Sequence, residues 1–386
     1  MSTDLPEFLK PSLKLFLSVD LIGSTKLKHD EDVLNRPGNQ EGSLDSVGAR
    51  WFNALTDFYS QFERTFSRQW KAVLEDEHLL ASSWKPESTP SLWKVNGDEL
   101  IYVHNVTHPN DLVLALLSWQ KALLSYREQL DQRPFALDVK ATAWMAGFPI
   151  GNHEVAFWSD LSKNSESTDE PPGKAGQYYR LNQWYKDQNN AQKSDYIKDY
   201  IGPAVDTGFR ISQFASARKF PVSIEIAYFL SKSAMEPEAI KQLKLRYHGR
   251  AAMKGVLGGL PYPVFWIDCV SPSDALTNAE DGLANPGKLC EPDDVSKFVD
   301  AFFSDTKNKL FPPFIYDGSE KKFSRPPNKY TELLHHISNV WKKELEKHRT
   351  QVASILEEEA PDESDAVEAN KDDIDKLSVG APSKTK

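Results

Sequence analysis

The sequence predicts a layered α/β or α+β sandwich, and three observations predict it. Strand-like runs alternate with stretches of helical apolar spacing, an Asn-Gly pair at 96 and 97 separates two strand-like runs, and 40% of the 386 residues are apolar. A chain of this length and composition buries a full core, as one large domain or two modest ones. The longest apolar runs, such as LVLALLSW from Leu112, fall well short of the roughly 20 residues a membrane span needs. The N-terminal MSTDLPEFLKP has neither the basic nor the apolar region of an export signal, so a cytoplasmic protein with no membrane partner is expected. Two cysteines, Cys269 and Cys290, exclude a disulfide framework and a Cys-type zinc site, and both are read as packing residues.

The net charge of -10 comes mostly from the stretch Glu357 to Asp375, which holds ten acids and one lysine. That run reads as a solvated tail, and no basic surplus remains elsewhere to support nucleic-acid binding.

In chain order, Leu13 to Leu21 reads as a strand, and Leu44 to Arg68 as a helix through Val47, Trp51, Leu55, Phe58 and Phe62. LWKVNGDELIYVH from Leu92 is a hairpin, because Asn-Gly adopts the positive φ angles of a tight two-residue turn. Asn110 to Leu130 is an amphipathic helix with Asn110 as cap, and Phe135 to Ala146 returns to strand composition. Residues 151 to 198 are polar and read as an irregular insertion. DYIGPAVDTGFRISQFASARKFPVSIEIAYFL then gives a turn, a helix and a Pro-initiated strand, and LKLRYHG with PYPVFWID gives a last antiparallel pair ending near Asp268. Beyond a linker with Pro272, Pro286 and Pro292, helical patterns cover Asp294 to Leu310 and Tyr330 to Glu358. The expected organisation is a main domain over 1–270 with insertions near 71–91 and 151–198, a largely helical extension over 271–358, and a disordered acidic tail over 359–386.

FLSVDLIGSTKL, residues 16–27, delivers a carboxylate, Asp20, to the end of a core strand just before Gly23-Ser24-Thr25. Asp98 follows the hairpin turn, so neighbouring strands can bring both carboxylates to one sheet edge, and two hard oxygen ligands there suit Mg²⁺. Asp199, Asp206 and Arg210 form D-x6-D-x3-R, with the last two one helical turn apart, and Lys254 follows in MKGVLG. An arginine and a lysine converging on acidic metal ligands is what phosphoryl transfer requires, because charge spreads over the phosphate oxygens as the leaving group departs.

The order of these blocks resembles the class III nucleotidyl cyclases, over roughly residues 12–268. SVDLIGST is similar to the family's first metal-aspartate strand, KVNGDEL to its K-x-x-G-D hairpin, DYIGPAVDTGFRI to its D-x-x-G-x-x-V-N-x-x-x-R-I segment, and MKG to its late phosphate lysine. The resemblance implies an α+β, ferredoxin-like sandwich with an antiparallel-rich sheet. It also implies two Mg²⁺ or Mn²⁺ ions per site on Asp20, Leu21 and Asp98, with triphosphate cradled by backbone from Leu21 through Ile22, Gly23, Ser24 and Thr25. Lys94 and Asp199 match the base-contacting pair of adenylate cyclases, Arg210 the transition-state arginine, Lys254 the triphosphate lysine, and Asp206 the ribose-orienting position. The family usually has asparagine there; aspartate accepts a ribose hydroxyl bond and cannot donate one. In the family these groups come from opposite subunits, which implies a head-to-tail homodimer with composite active sites.

The stand-alone style resembles the pyrimidine cyclases of bacterial Pycsar anti-phage defence. That resemblance implies UTP, or else CTP, as the nucleoside triphosphate substrate, and a separate cyclic-nucleotide-responsive effector as partner. Arg50 or Trp51 is then the candidate that fills the pocket against a larger base, although Trp51 also reads as a core aromatic. The competing readings are an adenylate cyclase, a diguanylate cyclase through NGDEL, and a catalytically inactive cyclase-like module. His335 and His336 read as solvated helix residues, and the tryptophan-rich segments as core or interface.

Overall fold

The computed structural model describes residues 5–29, 50–80, 83–133, 136–160, 170–232, 235–270, 289–306, 309–316 and 323–359, with isolated positions between them. The predicted acidic tail from 360 onward lies outside the described residues, as does the side chain of Arg50. In chain order the elements are β1 (Ser12–Ile22), α1 (Ser24–His29), α2 (Arg50–Leu74), β2 (Ser91–Asn96), β3 (Glu99–Asn105), α3 (Pro109–Leu130), β4 (Asp138–Phe148), β5 (His153–Trp158) and α4 (Gly173–Asn189). They continue with β6 (Tyr196–Ile201), α5 (Pro203–Ile211), β7 (Lys219–Val222), α6 (Ile224–Lys232), α7 (Pro237–Gln242), β8 (Leu245–Ala251), β9 (Tyr262–Asp268), α8 (Pro292–Asp305) and α9 (Asn328–Glu359).

The main sheet has seven strands in the order β2-β3-β1-β4-β7-β9-β8. Its first four strands, with α2 and α3 as crossovers, form a β-α-β-β-α-β unit, the ferredoxin-like arrangement, with β1 antiparallel to both β3 and β4. β4 meets β7 in parallel at Ala143 and Val222; the other pairings are antiparallel. The expected α+β class and antiparallel-rich sheet are therefore what the chain forms. β5 and β6 pair only with each other, in a second, two-stranded sheet.

Alternation along β1 divides the core into two sides. Leu17 stands opposite Tyr102 of β3, whose ring packs edge-on against Phe66 of α2 and Trp119 of α3. α3 is buried around its circumference from Leu112 to Gln120, so it acts as a core helix with little amphipathic character. Phe16 points to the other face, stacks on Trp144 of β4 at 5.3 Å, and meets Trp93 and Tyr200 edge-on. Asp20 shares that second face by parity.

Four local expectations need correction. The N-cap of α3 is His108, whose Nδ1 accepts from Asn110 N at 3.0 Å while Asp111 accepts from the His108 amide, because Pro109 takes the first helical position where a missing N–H costs nothing. The first long helix is described from Arg50 and runs past Arg68 to Leu74; the expected stretch 44–49 lies outside the described residues. The Pro-initiated strand is only β7; from Ile224 the apolar run SIEIAYFL is a buried helix, a conformation that short apolar runs cannot distinguish from a strand by periodicity. Residues 151–198, read as irregular, hold β5, α4 and the start of β6. Their polar composition reflects a small, separate core in which Tyr178, Leu181 and Tyr196 pack with Phe8, Leu9 and Trp341 of α9. The C-terminal helix is thereby tied to the second sheet, and Tyr330 anchors its start by donating to Phe148 O at 2.7 Å. Among the described residues no helix is long and apolar enough to cross a membrane.

Candidate functional site

The antiparallel register sets Asp20 directly opposite Glu99, one residue beyond Asp98. The Asn96-Gly97 turn bends with Gly97 at φ +66°, and its tip is pinned from two sides: Leu21 N donates to Asp98 O at 3.1 Å, and the Tyr59 hydroxyl of α2 donates to Gly97 O. The Ser24 hydroxyl donates to Asp98 Oδ2 and so orients that carboxylate. Gly23 is required between them. It sits at φ +88°, where a Cβ would lie 2.8 Å from Ala136 O. Asp20, Leu21, Asp98, Gly23 and Ser24 are thus gathered at one end of β1, with Ile22 closing the strand and Thr25 in the first turn of α1.

Two further groups at this edge were not foreseen. Lys140 of β4, across from Asp20, places Nζ 2.9 Å from Asp20 Oδ2. Glu99 accepts from Ser18 Oγ at 2.5 Å; burial pushes its carboxyl up, the Ser18 bond opposes this, and the Asp20 charge adds to it. Lys140 therefore offsets charge where the Asp20 and Glu99 carboxylates meet. Strand composition cannot reveal which cation will face which acid until the register is fixed. Among the described residues no group of three or more His, Cys, Asp or Glu side chains is arranged to hold a metal, so any ion here would depend on Asp20 and Asp98 with backbone and substrate oxygens.

A second constellation forms where β2 meets β6. Lys94 Nζ lies 2.8 Å from Asp199 Oδ2, and Trp93 Nε1 donates to Asp199 Oδ1 at 2.9 Å. The Lys94 ammonium stands 4.5 Å from the centre of the Trp93 ring, a cation–π contact. Trp93 is held in turn by Phe16, Tyr200 and Phe209. Trp51 lies in the first turn of α2, edge-on to Phe52 at 5.8 Å, and among the described contacts of the chain it does not touch this pair. Trp93 is the aromatic that walls the pair, and its position just before Lys94 in a bulged strand is the signal that could have found it.

α5 presents Asp206 and Arg210, four residues apart, on an exposed face. Its buried side rests on β4, where a Cβ on Gly208 would meet the Trp144 ring at 2.2 Å, so this helix approaches the sheet more closely than any side chain allows. Lys254 is exposed just before the 3-10 turn Val256–Gly259, which packs against α5. Asp206, Arg210 and Lys254 are thus carried by α5 and the segment packed on it, and Lys94 with Asp199 by β2 and β6, with Trp93 and Phe209 in ring contact between them. Asp20 and Asp98 belong to the tip of β1 and the hairpin.

No protein-family model matches the chain, and no curated protein matches it. Solved structures similar to it include the adenylyl cyclase CyaB from P. aeruginosa, at 13% identity and a TM-score of 0.39, covering 69% of this chain and 98% of that one. The guanylyl cyclase Cya2 is similar at 12% identity and a TM-score of 0.36, covering 69% and 96%. The guanylate cyclase domain of RhGC from Catenaria anguillulae, in complex with GTP, is similar at 9% identity and a TM-score of 0.37, covering 67% and 97%. Likenesses this distant decide nothing about activity, which has to be read from the site residues themselves.

Proposed function

We propose that the chain is a nucleotidyl cyclase that converts a pyrimidine nucleoside triphosphate, UTP ahead of CTP, to its 3',5'-cyclic monophosphate and pyrophosphate. The observation that carries this reading is the conjunction of Asp20 and Asp98 at one sheet edge with a Lys94–Asp199 pair assembled from residues 105 positions apart.

Asp20 and Asp98 are hard oxygen donors suited to two Mg²⁺ or Mn²⁺ ions, which when bound offset triphosphate charge and acidify the ribose 3'-hydroxyl. The 3'-oxygen attacks the α-phosphorus, the bond to the β-phosphate oxygen breaks, pyrophosphate leaves, and the hydroxyl proton passes to solvent. In this reading Ser24 fixes the Asp98 carboxylate, and backbone from Leu21 to Thr25 faces the triphosphate. Asp206 accepts a ribose hydroxyl bond, Arg210 offsets charge that spreads over the α-phosphoryl oxygens, and Lys254 binds the outgoing phosphates.

A homodimer would bring the two constellations together from different copies. Its support is an outer surface with exposed Phe157 and Ile197, 50% and 58% accessible, facing the same way as Asp199 on the second sheet. Exposed Leu92 and Val95 on β2 and Phe209 on α5 add apolar surface near the same pair.

The base preference rests on the resemblance to the pyrimidine cyclases. Asp199 Oδ1 takes the Trp93 indole and the Tyr200 amide, and its Oδ2 takes Lys94, so the pair is held in one orientation. The Lys94–Asp199 pairing itself matches a base-reading donor and acceptor for adenine, and ATP is the second reading. By its resemblance to the pyrimidine cyclases, the product would act as a second messenger for a separate effector in anti-phage defence.

Purified protein with Mn²⁺ and each of the four NTPs is expected to give cyclic UMP as the dominant product by mass spectrometry. Dominant cyclic AMP would overturn the pyrimidine assignment, and product from none of the four would overturn the cyclase reading. Trp93→Phe keeps the ring packing and deletes one indole donor to a charged acceptor. It is expected to raise KM for the preferred NTP by roughly tenfold with a smaller change in kcat, read from steady-state kinetics.

A further inference from the structure

Behind the Lys94–Asp199 pair lies a buried ionic cluster with no part in the chemistry just described. Glu154 of β5, its side chain only 5% exposed, stands between Lys14 of β1 and Lys198 of β6, with Oε1 3.3 Å from each ammonium. Tyr185 of α4 donates to Glu154 Oε2 at 2.5 Å, and Lys198 donates to the Tyr185 oxygen at 3.3 Å. Lys14 also donates to Asn105 Oδ1 of β3 at 2.8 Å. The Lys198 ammonium sits over the Trp184 ring at 3.9 Å and near the Tyr185 and Tyr200 rings at 4.7 and 5.5 Å. Burial works to raise the Glu154 carboxyl, and the two lysines with the tyrosine hydroxyl overcome it, leaving it below its ordinary value.

Three buried charges are a costly way to hold two sheets together, since apolar side chains of similar volume would fill the space with no desolvation penalty. What apolar packing does not supply is register. β5 and β6 form a two-stranded ribbon, the kind of sheet most prone to slip, and among the described residues no backbone ladder ties it to the main sheet. Lys94 belongs to the main sheet and Asp199 to the ribbon, so among the described residues no strand pairing sets the distance between them. A slip of two residues would preserve the alternation of faces yet move Asp199 by about 7 Å along the strand. In the direction that would pair Glu154 with Gly202, the slip would also carry Lys198 away from Glu154, and the cluster opposes it. Lys198 and Tyr200 flank Asp199 in sequence, and both point to the clamped face.

We propose that the Lys14–Glu154–Lys198 cluster, with Tyr185, is a positioning device that fixes the register of β6 and thereby holds Asp199 against Lys94, setting how strictly the base is read. The inference rests on the assignment of Asp199 to base recognition.

The test uses full-length protein and two variants, Glu154→Gln and the apolar triple Lys14→Met, Glu154→Leu, Lys198→Met. Both are expected to lose roughly tenfold in discrimination among the four NTPs through KM, with kcat for the preferred NTP little changed. The triple variant is expected to keep or raise the melting temperature. Discrimination unchanged in both variants would overturn the proposal. Lys198→Arg, which keeps the charge, is expected to retain discrimination.

A second readout separates positioning from simple support. Burial pushes Lys198 down to about 8, against the pull of Glu154; Lys14, Tyr185, Glu154 and Tyr200 are the titratable groups facing it. Because the folded value lies below the unfolded one, the native state holds fewer protons between them, so stability rises with pH above about 8. Discrimination is expected to fall over the same range and to stay flat in Lys198→Arg. Parallel movement of the two would overturn the proposal.

If wild-type protein turns over none of the NTPs, the cyclase reading fails by itself, and the device is judged from the Trp93 indole N–H resonance, which reports its bond to Asp199 without nucleotide. That resonance, assigned through Trp93→Phe, is expected to shift or broaden in Glu154→Gln. An unmoved signal would overturn the proposal.

Discussion

Asp98→Asn is expected to lower turnover by at least about a thousandfold while the protein keeps its melting temperature and nucleotide preference. The amide keeps an oxygen to accept from Ser24, and the backbone bond from Leu21 N to Asp98 O does not involve the side chain, so the hairpin stays in place. What disappears is one formal charge at the position where divalent ions would sit, a loss of several kcal/mol that corresponds to about three powers of ten in rate. Asp20→Asn should do the same, with Lys140 left facing a neutral partner. The sharper measurement mixes two inactive proteins. If Asp20 and Asp98 serve one half-site and Arg210 the other, an Asp98→Asn chain paired with an Arg210→Ala chain carries both lesions in one site and none in the other. Random exchange makes about half the dimers mixed, each with one intact site, so about a quarter of wild-type activity should return on mixing. A mixture that stays inactive, although subunit exchange is shown by labelled chains, would place all the groups in one chain and remove the case for a composite site.

The difference between what was legible in the sequence and what was not follows the range of the forces involved. The β1 strand, the Asn96-Gly97 hairpin and the β8–β9 pair are specified by local apolar alternation and turn chemistry, and the structure has them where the pattern puts them. The grouping of Asp20 with Asp98 was legible because a hairpin beside a core strand permits few registers. The meeting of Lys94 with Asp199 was legible only through family likeness, since nothing local says that a polar segment will form a second sheet and return to the first. Trp93, Lys140 and the Glu154 cluster were missed for one shared reason. Each acts through a partner on another strand, and a single sequence does not contain cross-strand register. The Ile224 helix was misread because its apolar run is short and wholly buried, so neither period appears in it.

Gly208→Ala should be strongly damaging for a change of one methyl. The added carbon would stand 2.2 to 2.5 Å from three atoms of the Trp144 ring, well inside contact distance. Trp144 has no room to yield: it is 1% exposed, stacked on Phe16 at an interplanar angle of 4°, and covered by Phe209 at 5.3 Å. The helix must therefore lift from the sheet, and overpacking of this kind costs about 1–3 kcal/mol, which should appear as a melting temperature lower by several degrees. The functional loss should exceed the loss of stability. α5 carries Asp206 and Arg210, and a displacement of about 1 Å in groups that must meet a transferring phosphoryl is worth about a hundredfold in rate. Lys94 and Asp199 sit on β2 and β6, outside the lifted helix, so the order of preference among the NTPs should be kept, while kcat falls and KM rises with the displaced Asp206. Thr207→Ala is the control, because it trims the same helix at a position whose hydroxyl only returns to Pro203 O at 2.7 Å. Wild-type kcat in Gly208→Ala, with the melting temperature lowered, would mean that the position of α5 is not what sets the rate, and Arg210 would lose its assigned part in the chemistry.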